Sequence, residues 1–528
     1  MGVKLLDKIK NAKIGSILPI YEAIDYIEPM EFFIKLSNYG RNKNAILLES
    51  ADTSLKERSL GSANPCLKVT GKNEDFEINA LSNLGRKFLQ FLKGDFKFCD
   101  KVEYGKNAIK GKLKPARRNT SEDQRLKLKT HLDILRTVAF KFKPIEEHSI
   151  QYGGLFGVIS YDFVDQFEDL PKNAQDNLSD ADYEMYFLDN LFVVDHEEKK
   201  AYIVANALVM DDKKERLYKE CLNTVDHYRK SLKKKMPKVK KYKKKAFQLT
   251  AGATKEEFVS AANKIKKHIL EGDILLASLS RELTANYNAE PLDIYSQLKQ
   301  ILQGHMFYIN TDDGILLGSS LNANLRVKGD KEKVVEASII GRSNPRGLVN
   351  GSIDKDLDNK YEAELKVNSE EVARHIMLID FARNDLARIS ERGSIYTDRL
   401  YAVEKHSNAQ YLASNVKCIL RNGLDALHAY LATMNAQAGT PKITAIKLLR
   451  QYEKAKRGFY GGSFCCITPG GDLSSMIITS ALKLKNNKAY ARAEANLTCN
   501  TLPEHAFQET EDRAKTCINA IKLSGGLK

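Results

Sequence analysis

NSEEVARHIMLIDFARNDLARI, residues 368–389, reads as one long helix. Asn368 is a helix-capping residue type, and Glu371 stands three positions on, the spacing of a capping box. TLPEHAFQETEDRAKTCINAIKL (501–523) follows the same pattern, with Thr501 as cap, Pro503 in the first turn and Glu504 completing the box. Upstream, ILLASLSREL (274–283) reads as a strand. PLDIYSQLKQIL (291–302) reads as a helix opened by proline. HMFYINTDDGILLGSS (305–320) reads as a hairpin turning at Asp312, Asp313 and Gly314. The first half alternates β-like runs such as NAILLESAD (44–52) and AYIVANALVM (201–210) with helices such as the one in LSNLGRKFLQFLKGDF (81–96). Residues 103–122 are basic and polar and read as a loop. Hairpins combined with long helices predict an α+β fold.

The 528 residues are 43% hydrophobic and 29% charged, enough to bury a large core, which excludes wholesale disorder. There is no apolar run long enough for a membrane span, and no signal-peptide pattern at the start. The eight cysteines form no CxxC pair, which points to a reducing, cytoplasmic setting and away from a disulfide scaffold or a zinc site. The segment 229–245, RKSLKKKMPKVKKYKKK, holds 11 basic residues and no acid, most of the +15 net charge. A solvated linker and a polyanion contact both fit it, but no recognised nucleic-acid fold accompanies it. It marks the expected boundary between an N-terminal region 1–228, a basic linker 229–246 and a C-terminal region 247–528.

IDFARNDLARI (379–389) and RGFYGGSF (457–464) are diagnostic. Together with LLESADTSLKERSL (47–60), GGLFGVISYDFVDQFEDLP (153–171), EGDILLASLSRE (271–282), NPRG (344–347), GSIDKDLDNKYEAELK (351–366) and DALHAY (425–430), they carry a resemblance that runs nearly end to end. The sequence resembles anthranilate synthase component I, the large chorismate-using subunit of tryptophan synthesis. The resemblance implies facing antiparallel β-sheets with helices outside, and a chorismate-binding catalytic region in 247–528. It implies a lyase that converts chorismate and ammonia to anthranilate and pyruvate with Mg²⁺. The ammonia would come from a glutamine amidotransferase partner.

The site positions must be read separately, because fold does not carry function. The resemblance implies two metal-binding glutamate pairs. The first falls on Glu371 and Arg374, the second on Ala506 and Glu509. A guanidinium is always protonated and cannot ligate a cation. At about 4 Å it repels by roughly 4 kcal/mol per unit charge at an effective dielectric near 20. Glu371 also has a plain reading as a capping residue, and Glu509 as a surface helix residue.

The family's Gly-Ala-Gly substrate loop reads Glu494-Ala495-Asn496 here, and its I-R-S/T arginine is Thr479. Its Ala-Gly-Thr-Arg segment reads Gly341-Arg342-Ser343-Asn344. The Gly-Thr-Leu-Ser-Gly-Ala-Pro-Lys segment is shortened to AQAGTPK (436–442). Its histidine is Tyr411, a poor general base near neutral pH. The glutamine beside the ammonia site is Leu276, and Ser-Pro-Glu is Ser320-Leu321-Asn322. Ser343, Tyr460, Tyr411 and Lys442 are the residual catalytic candidates, Glu371 and Glu509 the residual ligands, and Arg513 stands at a family lysine. A separate tryptophan site is implied at Glu49, Ser50, Met306 and Phe307, with Cys466 at a family tyrosine. Scaffold stretches persist while pocket positions change. The expectation is a folded chain in which the family reaction is lost or strongly impaired and Mg²⁺ is not bound. The alternative is a non-catalytic paralogue that acts as a binding or regulatory subunit, with tryptophan, a chorismate-like molecule or the amidotransferase as its partner.

Overall fold

The computed structural model describes residues 2–50, 58–116, 128–145, 153–240, 242, 246–302, 304–321, 323–349, 352–406, 409–434 and 438–525. Two large sheets dominate, one 13-stranded and one 12-stranded. In the first, Leu276–Asn286, Lys488–Leu497, Ser480–Lys485, Gly314–Ser320, His305–Thr311, Ile46–Ser50, Arg58–Ser62, Asn190–Asp195, Lys200–Leu208 and Ser16–Asp25 lie side by side. The second runs from Tyr396–Lys405 through Ala409–Ile419, Val334–Pro345, Ala323–Lys328, Leu473–Ile477, Ser463–Ile467 and Gly154–Ile159 to Tyr183–Leu188, Leu67–Lys72 and Asp75–Ala80. Nearly all neighbouring strands are antiparallel, and in each sheet the strands after the basic run form one block and those before it another, joined where His305–Thr311 pairs with Ile46–Ser50 and where Ser463–Ile467 pairs with Gly154–Ile159.

The period-2 alternation of strand residues explains the layering. Ile46, Leu48, Phe307, Ile309 and Leu316 of the first sheet share one apolar cluster with Phe156, Val158, Tyr186, Phe464 and Met476 of the second. The residues between them, such as Leu47, Tyr308 and Leu317, point the other way. There they meet the helices Pro29–Leu36, Lys214–Leu232, Pro291–Ile301 and Pro503–Leu523. Leu155, Ile159, Met185 and Phe187 likewise face out from the second sheet, toward Asn83–Phe91, His131–Ala139, Ser369–Ala387 and Lys442–Tyr452. The result is the α+β architecture of facing sheets with helices outside.

Two local readings are corrected. The predicted loop 103–122 contains most of a hairpin, Lys101–Tyr104 paired with Ala108–Lys112, at the edge of the second sheet; residues 117–127 lie outside the described ones. Ile109 is buried beneath it while Lys101, Glu103 and Lys110 stay exposed, so the high charge reflects an edge strand facing water. Thr501 does not cap the last helix. Its hydroxyl turns back to the Thr498 amide and the Asn496 carbonyl, and the residue before the helix is Leu502. The basic run begins inside a helix, since Arg229 and Lys230 occupy the last turn of Lys214–Leu232 and pair with Asp226. Among the described residues no helix is long and apolar enough to cross a membrane.

Candidate functional site

The inter-sheet layer changes character toward one end of the first sheet. Ala491, Ala493 and Ala495 of Lys488–Leu497 point to the helix side, so Arg492, Glu494 and Asn496 point inward. Directly across the ladder stand Glu282, Ser280 and Ser278. Arg457, only 3% exposed, reaches into this group from the 457–464 segment. Its Nε donates to Glu453 (2.9 Å) and its Nη1 to the Glu494 carboxylate (2.9 Å). Its plane also lies over the Tyr161 ring, 4.5 Å from the centroid. Arg492 donates to Ser280 Oγ (3.1 Å) and approaches Glu282 (3.5 Å). Burial raises the Glu494 carboxyl above the usual range, opposed by Arg457 and Arg513.

Tyr460, beside this cluster, is buried, and burial pushes its phenol well above its ordinary value. Ser343 and Tyr411 are cross-strand neighbours in the second sheet. Burial also raises Tyr411, with the Arg513 charge opposing. Arg513 joins these groups, since its Nη1 donates to the Glu494 carbonyl (3.3 Å). Tyr411, Tyr460, Arg513 and Glu494 therefore share one neighbourhood.

The residual metal positions lie on two helices that meet at their N-terminal ends, where Asn500 donates to Glu370 (3.3 Å). The Asn368 side chain does cap its helix, accepting from the Glu371 amide (3.1 Å). The Glu371 carboxylate is taken by the Arg374 guanidinium one turn on. Glu509 is taken by Arg513 at 2.6 Å. Ala506 is buried, a methyl in the core. Mg²⁺ requires hard oxygen ligands with few competing charges. A set of two carboxylates, each neutralised by an arginine, and one buried methyl does not fit it.

Lys442 lies elsewhere. Its ammonium pairs with Asp385 (3.0 Å), near the far end of the helix that carries Arg374, about 16 Å along the axis. Burial lowers its pKa. The tryptophan-site candidates are adjacent in register, with Met306 opposite Glu49 and His305 opposite Ser50. Alternation nevertheless splits them between faces. Glu49 and Met306 turn to the helix side, where Tyr295 (2.6 Å) and Lys299 (2.7 Å) hold the Glu49 carboxylate. Ser50 falls on the inner face with Phe307, which stacks on Phe464 in the cluster that also contains Cys466. The Arg342 side chain, Asn322 and residues 435–437 lie outside the described residues. Sequence reasoning did not single out Glu453, Arg457, Arg492 or Glu282. The available signal was charge two apart on a strand, Arg492 and Glu494, which must share a face.

The fold and these residues together define a class, and the chain belongs to it: the chorismate binding enzyme family, whose model matches residues 100–519. Within that class the similarity is to anthranilate synthase component 1. The Escherichia coli (strain K12) protein is 31% identical over 490 residues, 91% of this chain and 92% of the relative. That of Buchnera aphidicola subsp. Schizaphis graminum is 33% identical over 488 residues, covering 90% and 92%. The crystal structure of anthranilate synthase component I from Streptococcus pneumoniae TIGR4 superposes with a TM-score of 0.69 at 22% identity, covering 87% of this chain and 92% of that one. The menaquinone-specific isochorismate synthase of Escherichia coli shares the fold at a TM-score of 0.61 and 11% identity, over 99% and 100%.

Proposed function

We propose that this chain is an anthranilate synthase component I relative in which conversion of chorismate to anthranilate and pyruvate is lost or strongly impaired. The observation that carries this reading is the pairing of both residual carboxylates, Glu371 with Arg374 and Glu509 with Arg513. A cation entering there must break two ion pairs and sit beside two guanidinium groups. The acid–base candidates add little at neutral pH. Tyr411 and Tyr460 both have phenols raised by burial, so they serve as hydrogen-bond donors and not as bases.

The test is purified full-length protein supplied with chorismate, Mg²⁺ and ammonium, followed by anthranilate fluorescence. No signal above background is expected, and turnover at ordinary enzyme rates overturns the reading. Under the same reading the chain acts as a binding or regulatory subunit, with tryptophan or a glutamine amidotransferase as its partner. Tryptophan is the candidate the family resemblance supplies, although Glu49 and Met306 turn to the helix side while Ser50 and Phe307 face the inter-sheet layer. Calorimetry with tryptophan alone, without metal or chorismate, tests that assignment.

A further inference from the structure

We infer that the Glu494 side chain is a tethered anion that fills the pocket's own carboxylate seat and thereby decides which ligands the pocket admits. The inference rests on the proposed relation to anthranilate synthase component I, whose Gly-Ala-Gly substrate loop falls on Glu494, Ala495 and Asn496. Glu494 projects inward from the Lys488–Leu497 strand and is only 6% exposed. Its carboxylate takes an Arg457 N–H at 2.9 Å, and Arg513 holds its carbonyl. The Arg457 guanidinium also grips Glu453 and the Ser278 carbonyl, so most of its five N–H donors are used inside the protein.

The other arginines here are also committed. Arg492 is engaged by Glu282, Ser280 and the Lys456 carbonyl, and Arg513 by Glu509. An incoming carboxylate would therefore displace one already in place. Burial gives the same answer, since Glu494, Arg457 and Arg492 are 6%, 3% and 8% exposed.

A ligand that brings a carboxylate to Arg457 meets both an occupied donor and a like charge. Truncating Glu494 removes both obstacles and leaves Arg457 still paired with Glu453. A neutral side chain of the same shape removes the charge but keeps the space filled.

The experiment is calorimetric titration of the full chain with chorismate in EDTA, comparing wild type, Glu494→Ala and Glu494→Gln, with each variant's melting temperature measured. Glu494→Ala is expected to bind at least about tenfold more tightly than wild type, the scale of one recovered charge-assisted hydrogen bond. Glu494→Gln is expected to stay close to wild type. The inference is overturned if folded Glu494→Ala binds no better than wild type. It is also overturned if wild type already binds chorismate tightly, a result that stands even if the alanine variant does not fold. Neither outcome touches turnover, since Arg374 is present throughout. Tight wild-type binding without anthranilate would sink this inference alone, while turnover by wild type would sink the reading beneath it.

Discussion

The Arg374 guanidinium donates to the Glu371 carboxylate one helical turn earlier, and the two side chains are 27% and 14% exposed. A carboxylate held in this way is no longer available to a divalent ion unless the pair is broken. Wild-type melting temperature is therefore expected not to move when Mg²⁺ is added. Arg374→Glu should give a Mg²⁺-dependent rise, because a ligand at about ten times its Kd stabilises by about 1.4 kcal/mol. A rise in wild type of that size, measured by scanning calorimetry with and without EDTA, contradicts the pairing argument.

His375, the next residue on that helix, is 1% exposed and bonds Ser414 Oγ through Nε2 (2.9 Å). The helix approaches the sheet so closely here that a Cβ on Gly341 would lie 2.8 Å from His375 Nδ1. Burial, helped by Arg374, pushes the His375 pKa down to about 4. The unfolded chain therefore takes up this proton near pH 6.5 while the folded chain resists until about pH 4. The contribution of His375 is fully present above pH 6.5 and falls as pH drops through that window, by up to about 1.4 kcal/mol per pH unit. Urea unfolding of wild type and His375→Gln at pH 7.5 and pH 5 checks this, and the variant should lose less stability on acidification. Equal losses contradict it.

Asp358 ties the 344–347 segment to the Lys355–Val367 helix. It receives Arg346 Nε (2.8 Å), Lys405 (3.0 Å) and the Gly347 amide (3.0 Å). The Arg346 hydrogen bond, chief among these, holds its carboxyl well below the usual range. Asp358→Ala leaves a half-buried guanidinium without its carboxylate and should cost about 2–3 kcal/mol in urea unfolding at pH 7. A loss below about 0.5 kcal/mol would show the network to be slack.

Glu49 is 1% exposed and fully engaged by Tyr295 and Lys299. Glu49→Ala should destabilise the chain by about 3 kcal/mol with or without tryptophan, as expected when one partner of a buried pair is removed. Thermal denaturation in the absence of ligand measures this. A near-neutral result would mean that the carboxylate is held for a ligand and not for the fold.

Much of the scaffold was legible locally. The proline-opened helix Pro291–Ile301 and the hairpin His305–Ser320 each follow from backbone chemistry confined to a few residues. The hairpin inside 103–122 was not legible, because an edge strand carries lysines that a loop would also carry. Thr501 was misread as a cap because hydroxyl chemistry allows several nearby backbone partners, and the turn at Thr498 won.

The sequence by itself determined that a guanidinium and a methyl stand at Arg374 and Ala506, and that a carboxylate stands at Glu494. Identity and spacing along one helix or strand are properties of the chain. Only the tertiary structure decided what those groups do to one another. It drew Arg457 from a distant segment onto Glu494 and placed Lys442 beside Asp385. Partner choice depends on distances of a few ångströms between segments far apart in sequence, and only the folded layers set those distances.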